Sequence, residues 1–389
     1  EVVTKKIKFK VALTRQGNAT MVEVGAHDVL LQDAVAMMLL SNLVDDATRE
    51  ALTAMQPSAQ LGNAYARYRH DEAADKHTLA ARADFNDLAF SGWKDLPTVT
   101  GLDGRVQVND QSGSLVLDTA KAQLSFDGLF RAPLFLDTLS GSVAWRHQDG
   151  GWRIQTPALT VANADIGGSV QATIDIPDNH ASPFISLVAD FSKGNVEQAA
   201  RYLPVSIMPQ DTVAWLDRAL LGGTVTQGQA LFHGRVADFP FDTGASQAGG
   251  QLTGRFEVRF NVSEGILDYA PGWPRLENIE TEVVFSGRRM EINAVAARSL
   301  ESQIQQVQVV IEDLGDNPPV LIIRGQAEGP TADVLRYVRE TPLDKKIGKY
   351  LGSARAQGRS TLDLEIQMPL AATATDRIKG TLGFDNSSL

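Results

Sequence analysis

Residues 254 to 287, GRFEVRFNVSEGILDYAPGWPRLENIETEVVFSG, alternate apolar and polar side chains on both sides of a Pro-Gly-Trp-Pro break. Successive side chains of a strand point to opposite faces of a sheet. Phe256, Val258, Phe260 and Val262 therefore share one face, and Arg255, Glu257, Arg259 and Asn261 share the other. Ile279, Thr281, Val283 and Phe285 repeat the plan after the break. Strands that are apolar on one side only, joined by turns, predict an antiparallel sheet, because parallel strands are buried on both faces. What lies against the apolar face becomes the functional question.

The same alternation recurs along the chain, in KKIKFKVAL, GSVQATIDI, FISLVADF, QVQVVIEDL and STLDLEIQM, separated by Gly, Asp, Asn and Pro clusters. Val170, Ala172, Ile174 and Ile176 form one stripe, Ile185, Leu187, Ala189 and Phe191 another, and Leu362, Leu364 and Ile366 a third. None of these stripes contains a charge. Asp103-Gly104 and Asp149-Gly150 read as turns. Three segments break the pattern with helical spacing. LVDDATREALTAMQP predicts a helix near 44–56, MPQDTVAWLDRALLGG one near 209–221, and TPLDKKIGKYLG one near 342–351 with Thr341 as its cap.

Composition removes several function classes. The 47 acidic against 36 basic residues give a net charge of -11, which repels nucleic acid. The Lys5, Lys6, Lys8 and Lys10 cluster alternates with Ile7, Phe9 and Val11, so it reads as the wet face of a strand. With no cysteine, there is no disulfide, thiolate metal site or cysteine nucleophile. No apolar run reaches the roughly 18 residues a membrane helix needs. The opening VVTKKIKFKVAL is strand-like, without the pattern of a signal peptide, and leads us to expect a middle piece of a longer protein.

Chemistry-bearing motifs are scarce. HDEAADKH places His70, Asp71, Glu72, Asp75 and His77 together, but the spacing matches no established ligand set and the composition reads as a solvated loop, so no metal is expected. No nucleophile elbow, phosphate loop or dinucleotide fingerprint occurs. Neither an enzyme nor a cofactor is expected.

Internal similarity suggests diverged repeats. RYLP at 201 parallels RYVR at 336, Gln227-Gly228 parallels Gln357-Gly358, LDTLSGSVAW at 136 parallels LENIETEVVF at 276, and Gly92-Trp93 parallels Gly272-Trp273. The expected organisation is one elongated segment of approximate units 1–92, 93–233 and 234–389, growing unit by unit.

The stretches YAPGWPRLENIETEVVFSGRRMEINAVAARSLESQIQQVQVVIEDL and YLPVSIMPQDTVAWLDRALLGGTVTQGQALFHGRVADFPF resemble the YhdP branch of the AsmA-like family of Gram-negative envelopes. That resemblance implies a mostly β fold: an elongated, strongly curved antiparallel sheet whose concave side is a hydrophobic groove, with a few short helices inserted. It implies phospholipids as partners, a periplasmic location, attachment to the inner membrane through an amino-terminal helix absent from this chain, and envelope proteins at the far end. Val170, Ala172, Ile174, Ile176, Ile185, Leu187, Phe191, Phe256, Val258, Phe260, Val262, Ile279, Val283, Phe285, Leu362, Leu364 and Ile366 would line the groove. Trp93 and Trp273 would then touch a lipid headgroup or cover the sheet edge, and the helix bearing Trp215 would cap the groove mouth. Without the resemblance, the same stripes read first as the packed core of a structural β-sandwich array.

Overall fold

The computed structural model describes residues 8–40, 44–94, 96–241, 254–345, 355–370 and 376–388. Strands hold 63% of the chain, and helices are few and short, as the alternation predicts. Two units divide the chain: Glu1–Leu187 with Arg201–Ile207, and Val188–Ala200 with Met208–Leu389.

The first unit contains β1 (Lys8–Gln16), β2 (Ala19–His27), β3 (Val29–Leu30), α1 (Leu31–Leu39), α2 (Asp46–Met55), β4 (Ser58–Asp71), β5 (Lys76–Phe90), β6 (Thr98–Asn109), β7 (Ser112–Thr119), β8 (Ala122–Ser125), β9 (Leu134–Leu136), β10 (Thr138–Gln148), β11 (Gly151–Ala162) and β12 (Ile166–Pro177). The division falls within β13 (Phe184–Asn195). The second unit continues with α3 (Gln210–Ala219), β14 (Leu220–Arg235), β15 (Gly254–Leu267), β16 (Leu276–Ser286), β17 (Arg289–Ser299), β18 (Ser302–Ile311), β19 (Val320–Pro330), α4 (Thr331–Glu340), β20 (Gln357–Pro369) and β21 (Arg377–Ser388).

Every recorded pairing is antiparallel. In the first unit β1 pairs with β2, β2 with β4, β4 with β5, β5 with β6, β6 with β7, β7 with β10, β10 with β11 and β11 with β12. In the second, β14 to β21 pair in chain order. Asp149 and Gly150, both at positive φ between the partners Gln148 and Gly151, make the two-residue turn expected of them. Gly104 does not turn: it lies inside β6, where an added Cβ would meet the Val116 carbonyl at 2.1 Å and Phe85 at 2.9 Å. It is a close-approach glycine, which a Gly in a strand pattern can equally signify.

Many strands carry a bulge, marked by a register shift and often by a residue at positive φ: Asn63 in β4, Asp87 in β5, Glu264 in β15, Asn278 in β16 and Gln306 in β18. A bulge bends its strand and leaves backbone groups outside the ladder. The next strand supplies partners for them. Asp87 N–H donates to Asp103 Oδ1 at 2.9 Å, and Glu264 N–H to Glu280 Oε1 at 3.0 Å. In the first unit the packed core lies at and beyond the bulges, where Ala59, Phe85, Val99, Leu102, Leu117, Ala122, Leu136 and Leu139 are buried together.

The helices sit near the ends of strands. Asp45 caps α2 by accepting from Thr48 N–H, as its sequence predicts. Helix α3 matches its expected span. Of the helix expected near 342–351, residues 346–351 lie outside the described residues, and Thr341 follows α4, a helix the spacing did not reveal. Thr341 Oγ1 accepts from Leu343 N–H at 3.2 Å and donates to Tyr337 O at 2.6 Å. Buried Asp333 fixes α4 to the β17–β18 turn by accepting from Glu301 N–H at 3.0 Å and Ser302 Oγ at 2.7 Å.

Candidate functional site

The cross-strand registers resolve what the apolar stripes share. In the second unit one row runs Ala230, Val258, Phe285, Met290, Ile311, Leu321 and Met368, each the partner of the next across β14 to β20. The adjacent row runs Gly228, Phe260, Val283, Ile292, Val309, Ile323, Ile366 and Ile378 across β14 to β21. Neither row contains a charge. Strands about 4.8 Å apart thus align their apolar positions into continuous tracks perpendicular to the chain.

On the opposite face one row is polar through the same strands. Asn261, Glu282, Asn293, Gln308, Arg324, Glu365 and Lys379 are successive partners. Arg259 lies 3.5 Å from Glu282, and Arg324 lies 3.6 Å from Glu365. The Arg289 guanidinium, with Gln308 and Asn293, holds the Glu291 carboxyl at about 2, below its ordinary 4.5.

In the first unit a track of Val11, Val24, Ala66, Ala81, Val108, Gly113, Trp145, Ile154 and Ile174 crosses from β1 to β12. Gly113 makes room for the Trp145 indole, which an added Cβ would meet at 2.2 Å. Val170 and Ile176 pair with Leu159 and Trp152 beside it, and Ala172 with Thr156.

These faces are partly open to solvent. Val11 is 59% exposed, Ile176 38%, Phe191 38% and Ile378 66%.

The expected lining residues are placed as follows. Phe256, Val258, Phe260, Val262, Val283, Phe285, Leu362, Leu364 and Ile366 fall on neighbouring partner positions of the second unit. Ile279 pairs with Gly265, and Phe191 lies beside Gly228, against which an added Cβ would stand 3.1 Å from its ring. Ile185 and Leu187 are half-buried on β13. Met290, Ile292, Val309, Ile311, Leu321 and Ile323 complete the tracks without having been singled out; QVQVVIEDL carried the signal, while MEINAVAAR hides it among alanines.

Aromatic groups close parts of the second unit. Phe241 is buried on Gly234 and Gly254, T-shaped to Phe232 at 5.2 Å, with Phe239 and Phe256 alongside. Trp215 Nε1 donates to Tyr269 O at 2.9 Å, tying α3 to the end of β15. Burial and the neighbouring Tyr337 push the Tyr269 phenol upward. Trp273 rests between Tyr269 and Tyr337, and Lys94 stacks its ammonium 4.1 Å from the Trp93 ring.

The model of the YhdP protein family matches residues 1–389. The chain belongs to the YhdP family. A relative, the intermembrane phospholipid transporter YhdP of Escherichia coli strain K12, is 26% identical over 320 residues, covering 82% of this chain. The chain spans 24% of the length of that protein. No solved structure matches. Among the described residues, no helix of this YhdP-family chain is long and apolar enough to cross a membrane.

Proposed function

We propose that this chain is a periplasmic segment of an inner-membrane-anchored protein and conducts phospholipid acyl chains along its apolar face between the inner and outer membranes. The observation that carries the reading is the pair of uncharged tracks, one across β14 to β20 and its neighbour across β14 to β21, partly open to solvent and with a polar row on the opposite face. The kinship to an intermembrane phospholipid transporter supports it.

The energetics require such a cover. At ~0.8 kcal/mol per methylene, an acyl chain of about 14 methylenes costs on the order of 11 kcal/mol to expose to water. Tails therefore cross an aqueous compartment only if covered throughout. A continuous track of apolar side chains allows sliding, because each position offers a similar contact. A charge on the track would cost several kcal/mol to desolvate and would act as a barrier. Headgroups remain in water at the open side.

The test is native mass spectrometry with lipid extraction on protein purified without detergent from a Gram-negative host. Wild-type protein is expected to carry phospholipid. Val258→Asp and Phe285→Arg, at cross-strand partners, are expected to abolish it with an unchanged far-ultraviolet circular dichroism spectrum. A lipid-free wild type, or variants that unfold, would favour the alternative of a structural sandwich array.

A further inference from the structure

The hairpin joining β4 and β5 holds a cluster that the lipid reading does not use. HDEAADKH is not a loop along its length: its turn is limited to residues 72–75, and His70 and His77 are cross-strand partners. Their imidazoles stack with centroids 4.3 Å apart and an interplanar angle of 12°. Asp75, at positive φ in the turn, places Oδ1 3.7 Å from His70 Nε2 and 4.0 Å from His77 Nε2. The three donor atoms all lie within 4.8 Å of one another.

We propose that His70, Asp75 and His77 form a binding site for one divalent transition-metal ion of the zinc class. Two imidazole nitrogens and one carboxylate oxygen suit zinc, and neither calcium nor magnesium, which take oxygen ligands. With metal–ligand bonds of about 2.0 to 2.1 Å, tetrahedral donors stand roughly 3.4 Å apart. The observed separations of 3.7 and 4.0 Å would close by about 0.3 and 0.6 Å, and the two imidazole nitrogens, within 4.8 Å of each other, would draw together with them. The near-parallel rings must also splay so that both lone pairs point at one ion. The His77 side chain is half-exposed, so its open side leaves room for that rotation.

Two further observations point to a ligand. His70 Nε2 is buried without a hydrogen-bond partner, an arrangement that costs free energy unless something occupies its lone pair. Tyr68 Oη lies 2.5 Å from His77 Nδ1. When Nδ1–H donates to that oxygen, Nε2 carries the lone pair, which is the arrangement that orients metal-bound histidines. The neighbouring carboxylates are otherwise engaged. Glu72 pairs with Arg15 at 3.1 Å, and Asp71 accepts from the Ala73 and Ala74 amides. Asp75 is the carboxylate left for the imidazoles. Three protein ligands leave a fourth position open to water or an anion.

The test is calorimetric titration of zinc chloride into the tag-free 389-residue chain after chelator treatment and dialysis, with cobalt chloride absorption reporting the coordination geometry. One ion per chain and a tetrahedral cobalt spectrum are expected. Asp75→Asn, at a side chain 93% exposed and so harmless to folding, should weaken binding more than about tenfold, as should His77→Gln. Tyr68→Phe should weaken it about tenfold while keeping the tetrahedral spectrum. Zinc should raise the melting temperature of the wild type and leave that of Asp75→Asn unmoved. Absence of stoichiometric binding, or equal binding by Asp75→Asn and His77→Gln, would overturn the site.

Discussion

Phe241 and Glu291 show how differently single residues contribute on the two faces of the second unit. Phe241 is 2% exposed, and its ring rests on two glycines. Phe241→Ala should cost about 3–5 kcal/mol. Gly234→Ala should cost more than about 1 kcal/mol, because φ is +150° and the new Cβ would meet the Phe241 ring at 2.5 Å. Both are read as a lowered urea midpoint for the second unit, with the Gly234→Ala effect reduced in a Phe241→Ala background, which removes the ring clash and leaves the strain at φ. Glu291 acts through charge. Its folded pKa of about 2 is below its ordinary 4.5, so the fold favours the ionised form. That stability is complete above about pH 4.5 and is lost as pH falls toward 2. After allowance for solvent, it is about 1–2 kcal/mol. Glu291→Gln should therefore lower stability at neutral pH and flatten the decline between those two pH values, as measured by urea titrations across the range.

Elements in this chain are bent strands and small helices fixed at their ends. The bulge at Asp87 relies on Asp103, which also donates its own N–H to Thr119 Oγ1 at 2.9 Å. Asp103→Ala removes the acceptor for the bulged amide and should cost about 1–3 kcal/mol. Hydrogen exchange would detect it as faster exchange at Asp87 and its neighbours, with the far ends of β5 and β6 unchanged. Helix α3 is linked to Tyr269 O by Trp215 at 2.9 Å and, more weakly, by Arg218 at 3.5 Å. We expect Trp215→Ala to loosen α3 and change the rate of lipid loading in the proposed conduit, measured by transfer of a fluorescent phospholipid from vesicles. Unchanged loading with a loosened helix would mean that α3 covers the sheet end without gating it.

At the scale of the whole chain, exposed apolar surface is the distinguishing property. Val11, Ile176, Phe191 and Ile378 stay open to solvent where a globular protein would bury such side chains. The native chain should bind an apolar fluorescent dye, and phospholipid should displace it; a dye-silent native state would remove the open face.

Alternation, turn chemistry and capping were readable from GRFEVRFNV, Asp149-Gly150 and Asp45, because each depends on contacts within a few residues. These determined a mostly β antiparallel chain with one apolar face per strand. Helix α4 escaped because its stop and the next segment's start share Thr341. Gly104 was misread because a close backbone approach and a turn favour the same residue. HDEAADKH read as a loop because its composition is polar throughout, although its ends pair. The sequence by itself determined which side chains share a face. Only the tertiary structure decided that the tracks align across strands, where bulges bend them, and that His70 meets His77, since register is set by partners far along the chain and alternation is identical whether a face meets a second sheet or solvent.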